Sequence, residues 1–264
     1  MPQALVASAR SCKNAGMAPT VENKPVRRAL VTGGSGDIGA AICRELAEQG
    51  CAVYVHAHAN APRANAVVEA IRLAGGEAHA ITFDLTDGAA SRAAIEALLE
   101  NGPIDVLVHN AGIHDDAPLA GMREEQWHRV IDVSLHGFFH AVQPLLLPMA
   151  RMRSGRIVCV SSVAAVLGNR GQVNYAAAKS ALHGAAKSLA REMASRGITV
   201  NVVAPGVIAG ALSDAAFDAE QIRALVPAGR AGTAQEVAAL IAFLCSEAAG
   251  YINGQVIGIN GGMG

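Results

Sequence analysis

Apolar runs of strand length alternate with helix-like segments along almost the whole chain. In order, these runs are RRALVTG, CAVYVHAH, HAITFDL, IDVLVHNAG, GRIVCVSS, GITVNVVAPG and GQVIGIN. Their apolar residues are continuous rather than alternating, which is typical of parallel strands covered on both faces. Because helical crossovers join such strands with one handedness, the pattern predicts one α/β domain. We expect a doubly wound, parallel, seven-stranded sheet with helices on both faces.

The segments between these runs predict the helices. The first is IGAAICRELAEQG, which ends at Gly50, and the others are residues 63–74, 87–100, 123–152, 174–196 and 234–246. Pro144 and Pro148 fall in the second half of the long fourth helix, and we expect them to bend or interrupt it, because proline removes a backbone donor. Residues 207–227 are rich in alanine and glycine and form a candidate lid.

Composition excludes several classes of protein. Hydrophobic residues make up 52% of the 264 residues, which suits one large buried core, and the net charge of -1 gives no bulk attraction to nucleic acid or membranes. No apolar run approaches the roughly 18 residues that a membrane-spanning helix needs. The five cysteines are scattered, which predicts reduced, buried thiols in a cytoplasmic protein and no metal site; they are Cys12, Cys43, Cys51, Cys159 and Cys245.

Residues 1–25 differ from the rest of the chain because they lack periodicity and a sustained apolar run. We interpret them as a disordered N-terminal extension before a domain spanning 26–264, with Met17 as a possible biological start. A targeting segment is the alternative, since Arg10 and Lys13 precede any acidic residue.

A glycine-rich turn, TGGSGDIG from Thr32 to Gly39, follows the first predicted strand and opens the first helix. This is the context of a dinucleotide-binding fingerprint in a Rossmann-like fold, where backbone amides and the helix dipole face a pyrophosphate. Ligands of such sheets bind along the carboxyl edge of the strands. Asp84-Leu85 ends the third strand at that edge, and Asn110-Ala111-Gly112 ends the fourth.

The end of the second strand selects the nucleotide. An acidic residue there favours NAD by binding the ribose 2′-hydroxyl, but this chain has His56, His58 and Asn60, followed by Arg63. No acid stands there to repel a 2′-phosphate, so the sequence favours NADP (NADPH) over NAD. The alternative for the histidines, and for His56 in particular, is that they are solvent-exposed loop residues.

A serine, a tyrosine and a lysine stand at fixed spacing: Ser162, Tyr175 and Lys179. Tyr175 and Lys179 are four residues apart and share one helix face. A phenol has a pKa near 10, and a neighbouring ammonium lowers it toward the working pH of a general acid–base group. Ser162, at a strand end, is placed to hydrogen-bond a substrate oxygen. With the glycine turn, the trio predicts a nicotinamide-dependent carbonyl reductase; alone, YAAAK is also compatible with an ordinary alanine-rich helix start.

Two long segments, NYAAAKSALHGAAKSLAREMASRGITVNVVAPG and INGQVIGINGGM, resemble the short-chain dehydrogenase/reductase family, and the resemblance covers nearly all of 26–264. The branch they are most similar to is that of the 3-oxoacyl-acyl-carrier-protein reductases. The resemblance implies that Tyr175 gives a proton to the substrate carbonyl as hydride arrives from the nicotinamide. It also implies that Lys179 binds the nicotinamide ribose and lowers the pKa of Tyr175, while Ser162 polarises the carbonyl.

The resemblance further implies three groups of cofactor contacts. The phosphate turn is lined by Gly33, Ser35, Gly36, Ile38 and Gly39. The adenosine half or the adjoining ribose is contacted by His58, Asp84, Leu85 and Asn110, with Ala111 and Gly112 completing the turn. The nicotinamide packs beside Pro205, Gly206 and Ile208. The partners it implies are an acidic acyl carrier protein, docked on basic residues at Arg153 and Arg196, and identical subunits in a homotetramer.

Three residues depart from the family pattern. Asp37 stands where the glycine turn usually has glycine, so it either weakens pyrophosphate binding or begins the helix. Ser134 stands where a catalytic asparagine usually holds a water chain, and Gly210 stands where a threonine commonly contacts the nicotinamide amide. We expect Ser134 to take part in catalysis with a slower proton relay.

The leading hypothesis is NADPH-dependent reduction of a carrier-bound 3-oxoacyl thioester to the 3-hydroxyacyl thioester, in fatty-acid or related acyl-chain biosynthesis. A second is an NAD(P)-dependent alcohol or polyol dehydrogenase that uses the same trio. A non-catalytic dinucleotide sensor is a third, which the intact Ser162, Tyr175 and Lys179 argue against.

Overall fold

The computed structural model describes residues 26–210 and 217–264. The predicted N-terminal extension, residues 1–25, lies outside the described residues, as do residues 211–216 of the candidate lid.

Seven parallel strands form one sheet in the order β3-β2-β1-β4-β5-β6-β7. The strands are β1 Arg28–Thr32, β2 Ala52–Ala57, β3 Glu77–Thr82, β4 Val106–His109, β5 Gly155–Val160, β6 Ile198–Pro205 and β7 Val256–Ile259. The strand order reverses direction between β1 and β4, and open α/β sheets bind ligands in the crevice at such a point. The predicted fold class is confirmed.

Helices cover both faces of the sheet. Their bounds are α1 Asp37–Glu48, α2 Ala61–Leu73, α3 Gly88–Glu100, α4 Glu124–Ile131, α5 Gly137–Met152, α6 Ala164–Leu167, α7 Val173–Met193, α8 Ala219–Leu225 and α9 Ala234–Cys245. One buried apolar cluster joins α1, α2 and α9 to the sheet, and a second joins α3, α5 and α7 to its other face. The sheet is therefore enclosed by apolar layers, which is why its strands are continuously apolar.

The long helix over 124–152 is irregular, but not where its prolines predict. Pro144 and Pro148 lie inside α5, which continues through both, so the expected interruption there is wrong. Buried side chains along one face, including Phe138, Leu145 and Met149, pack against the core and hold the helix despite the missing donors. The irregularity is a π-helical turn at Asp132–His136, between α4 and α5.

The same helix, Glu124–Met152, is long and apolar enough by length and composition to cross a membrane. Its packing accounts for that composition, because Ala141, Leu145 and Met149 are fully buried in the core formed with α3, α7 and the sheet. A core helix of an α/β domain passes the same test of length and hydropathy.

Four cysteines lie in the described part of the chain, and all are free and buried: Cys43, Cys51, Cys159 and Cys245. Burial raises the pKa of each thiol, to about 12 for Cys159 and Cys245, so the thiolate form is suppressed. The expectation of buried, reduced thiols is confirmed for these four, and Cys12 lies outside the described residues.

Candidate active site

The glycine turn connects the end of β1 to the start of α1. Gly33 has φ of 63°, a left-handed conformation that glycine adopts without strain, and a Cβ at this position would lie 2.9 Å from the Ala111 Cα. A Cβ at Gly39 would collide with the Gly33 carbonyl oxygen. The turn is therefore closed tightly on itself and against the end of β4, which is the kind of cradle a pyrophosphate needs.

We expect Gly39→Ala to weaken dinucleotide binding by at least tenfold, because the backbone of the turn must move to admit the methyl group. Gly121→Ala is the matched control, since a Cβ there meets nothing within 4 Å. Fluorescence titration with NADPH measures both; unchanged affinity in Gly39→Ala would contradict a phosphate-binding role for the turn.

Asn110 braces the glycine turn from β4. Its side-chain Nδ2 donates to the Gly33 carbonyl at 3.0 Å and to the Thr32 carbonyl at 3.3 Å. The Thr32 hydroxyl in turn accepts the backbone N–H groups of Asn110 and Ala111, each at 3.1 Å. Asn110, expected from the sequence to contact the adenosine or ribose, thus bonds the turn itself, and Thr32 carries no motif signal that would single it out. Both side chains fix the relative positions of the β1 and β4 ends.

His56 is buried near the end of β2, with 1% of its surface exposed. Its Nδ1 accepts the Gly33 backbone N–H at 3.1 Å, and its Nε2 lies 2.9 Å from the Phe83 carbonyl oxygen. The alternative of an exposed loop histidine is therefore wrong for His56. Burial in the apolar sheet lowers its pKa to about 4, although the bond to Phe83 and the charge of Asp84 oppose that shift, so the imidazole is neutral at physiological pH.

Of the other residues assigned to the adenosine half, His58 and Asp84 have exposed side chains, whereas Leu85 is buried in the apolar core. His58 is exposed, with its Nδ1 3.5 Å from an Asp84 carboxylate oxygen. Asp84 also accepts the Thr86 N–H and hydroxyl, each at 2.8 Å. Burial opposes ionisation of Asp84, but the Thr86 hydrogen bonds outweigh it and lower the carboxyl pKa. The site thus offers an ionised carboxylate and an imidazole at one edge.

Asp37 is the first residue of α1 and pairs with Arg63 across the mouth of the turn, with Nη2 and Oδ1 2.7 Å apart. Asp37 begins the helix, as one of the two expectations from the sequence has it, and it also lies beside Ser35 and Gly36 of the phosphate turn. Because both side chains are about half-exposed, the pair contributes little to stability. The consequence of the pair is electrostatic, because a guanidinium stands beside the Asp37 carboxylate at the mouth of the turn.

The loop after β6 lies beside the catalytic loop after β5. The Val163 backbone N–H donates to the Pro205 carbonyl at 2.7 Å, and the Gly206 N–H donates to the Ile259 carbonyl at 3.0 Å. A Cβ at Gly206 would lie 2.7 Å from the Asn260 Cα, so this position admits only glycine without movement. Ile208 packs partly against the core cluster on the α1 side. The strand ends β5, β6 and β7 therefore form one continuous wall.

Ser162, Tyr175 and Lys179 meet at the carboxyl edge of the sheet. Ser162 follows β5, and its Oγ accepts the Ala164 N–H at 3.1 Å. The Ser162 side chain is near enough to Tyr175 to lower the pKa of its phenol. The Lys179 Nζ lies 5.9 Å from the centre of the Tyr175 ring and donates to the Val160 carbonyl at 2.9 Å. The expected shared face of Tyr175 and Lys179 is thus observed on α7.

The absence of a side chain at Gly112 leaves the space that the end of the Lys179 side chain occupies. A Cβ on Gly112 would lie 2.7 Å from the Lys179 Nζ and 3.1 Å from its Cε. Burial lowers the pKa of Lys179 to about 8, because the ammonium is enclosed away from water. The position assigned to cofactor contact thus also makes room for the catalytic lysine.

The pKa of Tyr175 differs from the sequence-based expectation. Burial is the largest effect and raises it, the hydrogen bond from Ser162 lowers it, and the Asp116 charge raises it further. The expected depression by Lys179 is not found in this arrangement, because the ammonium is directed to the Val160 carbonyl rather than to the phenol oxygen. Tyr175 is therefore held as a protonated phenol, which is the form that donates.

Asn174, which the sequence analysis overlooked, positions Tyr175. Its Oδ1 accepts the Tyr175 N–H at 2.8 Å, and its Nδ2 donates to the carbonyls of Asp115 and Gln126. The side chain is fully buried between the α7 start and the segment before α4. Asn174 is the second residue of α7 and not its N-cap, so no capping pattern identifies it, and its two distant acceptors are not visible in the sequence.

Ser134 lies in the π-helical turn at Asp132–His136 and is fully buried. Its hydroxyl finds no hydrogen-bond partner within the described part of the chain, and it lies 3.4 Å from the Cβ position of Gly112, beside Lys179. The Ser134 carbonyl lies 2.9 Å from the His109 Nε2. π-turns concentrate at functional sites, and a buried hydroxyl beside the Lys179 ammonium is compatible with the relay expected from the sequence.

Arg153 and Arg196 come together in space but not at the catalytic edge. Arg153 ends α5 with φ of 54°, and its Nη2 donates to the Ser195 carbonyl at 2.9 Å, next to Arg196. Both residues precede strands, β5 and β6, whereas Ser162 follows β5. The six residues of β5 span about 20 Å, so the arginine pair and the trio lie at opposite edges of the sheet.

A parallel sheet with a closed glycine turn and a Ser-Tyr-Lys trio at the same edge defines a dinucleotide-dependent oxidoreductase. Comparison with known proteins agrees. A family model described as Enoyl-(Acyl carrier protein) reductase matches residues 34–264, and the chain belongs to the short-chain dehydrogenase/reductase family.

Curated relatives match over nearly their whole length. The 3-oxoacyl-[acyl-carrier-protein] reductase FabG of Staphylococcus aureus (strain Mu50) is 45% identical over 243 residues, which cover 91% of this chain and 99% of the relative. The protein of the same name from Escherichia coli (strain K12) is 43% identical over 238 residues, covering 89% and 96%. The resemblance stated from the sequence motifs is confirmed.

Proposed function

We propose that this protein reduces a 3-oxoacyl thioester carried on acyl carrier protein to the 3-hydroxyacyl thioester, with NADPH, in the cytoplasm. The observation that carries the proposal is the meeting of Ser162, Tyr175 and Lys179 at the carboxyl edge of the sheet, beside the end of β4 and the glycine turn. Relatives at 45% identity bear the name of this activity.

Each residue of the proposed site has a separate role in the reduction. The nicotinamide, when bound, supplies the hydride. Ser162 and Tyr175 hold the ketone oxygen between their hydroxyls, and Tyr175 donates its phenolic proton to that oxygen as negative charge develops there. Lys179, which Gly112 admits to the site, binds the nicotinamide ribose with its Nζ and returns a proton toward Tyr175. Ser134 lies beside Lys179 and extends that proton path toward the π-turn.

The preference for NADPH rests on charge at the end of β2. His58 and Arg63 stand there, and Arg44 lines the cleft above α1 with Arg63. Asp37 is paired with Arg63, so the negative charge of the Asp37 carboxylate is partly neutralised. A 2′-phosphate therefore meets cationic side chains at this end of the cofactor.

The test follows oxidation of NADPH and NADH separately, with acetoacetyl thioester on coenzyme A and on carrier protein. NADPH-dependent turnover, faster on the carrier, supports the proposal. A crotonyl thioester is the control substrate, because the family model's description names an enoyl reductase. Faster turnover of crotonyl than of acetoacetyl thioester would overturn the proposal, and turnover of small alcohols or polyols alone would favour the dehydrogenase alternative.

Carrier docking on Arg153 and Arg196 is the second part of the proposal. Because this pair lies at the edge opposite the trio, a carrier bound there serves the site of another copy of the chain. This requires an assembly, and we propose a homotetramer. Arg153 and Arg196 are exposed, as a surface for an acidic partner must be.

We expect the double variant Arg153→Glu/Arg196→Glu to raise KM for the carrier-bound substrate by at least tenfold while KM for acetoacetyl coenzyme A changes less than twofold. Reversal of two charges repels an acidic carrier but leaves the distant trio intact. The control is Arg191→Glu, which reverses the charge of an exposed arginine near the end of α7, the helix that precedes Arg196. Equal losses on both substrates would argue against docking.

A further inference from the structure

His56 reaches the glycine turn from the neighbouring strand. It is the fifth of six residues in β2 and pairs in register with Ile81 of β3. Only 1% of its surface is exposed, and its ring lies 4.2 Å from the ring of Phe83. A buried polar side chain in an apolar sheet is costly unless every polar atom finds a partner, so its two ring nitrogens define what it does.

Each ring nitrogen has one partner whose role is fixed. The Gly33 backbone N–H donates, so Nδ1, 3.1 Å away, must be an acceptor. The Phe83 carbonyl accepts, so Nε2, 2.9 Å away, must carry the proton. Only one neutral tautomer satisfies both bonds. Burial keeps the imidazole neutral, and the titratable groups around it are His58 on the same strand end, Asp84 after β3 and His109 at the end of β4.

The Gly33 residue is thereby fixed from both sides of β1. Its N–H is held by His56 from β2, and its carbonyl accepts Asn110 Nδ2 from β4 at 3.0 Å and the Gly36 N–H at 3.1 Å. Gly33 has φ of 63°, and the direction of the following amides depends on that torsion. Two side chains from the flanking strands therefore set the shape of the turn before any phosphate arrives.

We propose that His56 is a positioning residue for the dinucleotide, acting through Gly33 as the acceptor that preorganises the phosphate turn. The inference rests on the proposed function only in taking the dinucleotide as NADPH. Preorganisation lowers the ordering cost of binding, so its loss appears in cofactor affinity. The chemical step, which Ser162, Tyr175 and Lys179 carry out at the other side of the edge, is left intact once cofactor is saturating.

The test is NADPH affinity of the full chain by fluorescence titration, together with steady-state kinetics. His56→Phe keeps an aromatic ring of similar volume but leaves the Gly33 N–H without an acceptor. We expect its Kd and KM for NADPH to rise about tenfold, the effect of one buried hydrogen bond. We expect kcat at saturating NADPH and KM for the thioester to change less than twofold.

Rescue and controls separate positioning from a general loss of structure. His56→Asn offers a shorter acceptor, Oδ1, and is expected to recover at least part of the NADPH affinity. His56→Leu also removes the acceptor but has a smaller side chain, so it is expected to weaken NADPH binding without overpacking the site. Val53→Ala, a cavity-forming change in the same strand, is expected to lower the thermal midpoint without raising Kd. His79→Phe makes the same replacement at an exposed position on β3 and is expected to change neither.

Three outcomes decide the matter. Weaker NADPH binding in His56→Phe and His56→Leu, with kcat preserved and Val53→Ala normal, supports the inference. Wild-type affinity in both apolar variants overturns it, whatever substrate the protein reduces. If the wild type binds NADPH but reduces no 3-oxoacyl thioester, the proposed function fails, while the titration still decides the role of His56.

Discussion

Tyr175→Phe is expected to lower kcat for ketone reduction by about 10² to 10⁴, because the variant keeps the ring and loses the proton that stabilises the developing alkoxide. Burial raises the pKa of Tyr175, so the wild-type phenol stays protonated through neutral pH and reduction slows only as pH rises above its ordinary range near 10. Stopped-flow or steady-state NADPH oxidation measures the loss, and NADPH affinity is expected to change little.

Tyr54→Phe is the matched control for that variant. The Tyr54 hydroxyl accepts hydrogen bonds from Arg28 on β1 and makes no contact with the trio, so its removal affects stability and not kcat. A Tyr175→Phe protein that retains kcat within threefold of wild type would remove Tyr175 from the mechanism. A loss shared equally by both variants would point to structure rather than to chemistry.

Lys179→Met is expected to abolish most turnover and at the same time stabilise the folded chain. Burial lowers the pKa of Lys179 to about 8 from an ordinary value of 10.5. The unfolded chain therefore binds this proton more tightly, so stability falls as pH drops from 10.5 to 8 and is constant below. The buried ammonium therefore costs on the order of a few kcal/mol of folding free energy at neutral pH, and a neutral methionine avoids this cost.

The lost bond to the Val160 carbonyl offsets part of this gain, so we expect Lys179→Met to raise the free energy of unfolding by about 1–3 kcal/mol at pH 7. Chemical denaturation at pH 7 and pH 10.5 measures it, and the advantage is expected to shrink toward zero at the higher pH. Lys187→Met makes the same replacement at an exposed site two turns along the helix and is expected to change neither stability nor rate. If Lys179→Met is instead less stable than the wild type at pH 7, the interactions of the buried ammonium outweigh the cost of removing it from water.

The strands and the glycine turn were predictable because their signals are local. A continuous apolar run between turn residues has few alternatives to a buried parallel strand, and all seven were found in the expected places. Tyr175 and Lys179 were predictable for the same reason, since a spacing of four on a helix fixes a shared face. The long helix was harder: its prolines indicated an interruption, but core packing kept α5 continuous and the π-turn formed before it.

The sequence by itself determined the fold class, the family and the spacing of Ser162, Tyr175 and Lys179, since these follow from periodicity and motif. Only the tertiary structure decided that His56 is buried against Gly33, that burial raises the pKa of Tyr175, and that Arg153 and Arg196 lie at the edge opposite Ser162. Burial and hydrogen bonding are set by which distant segments meet. In this chain Gly33 bonds His56, which is 23 positions away in the sequence, and Asn110, which is 77 positions away. No local pattern encodes such pairs.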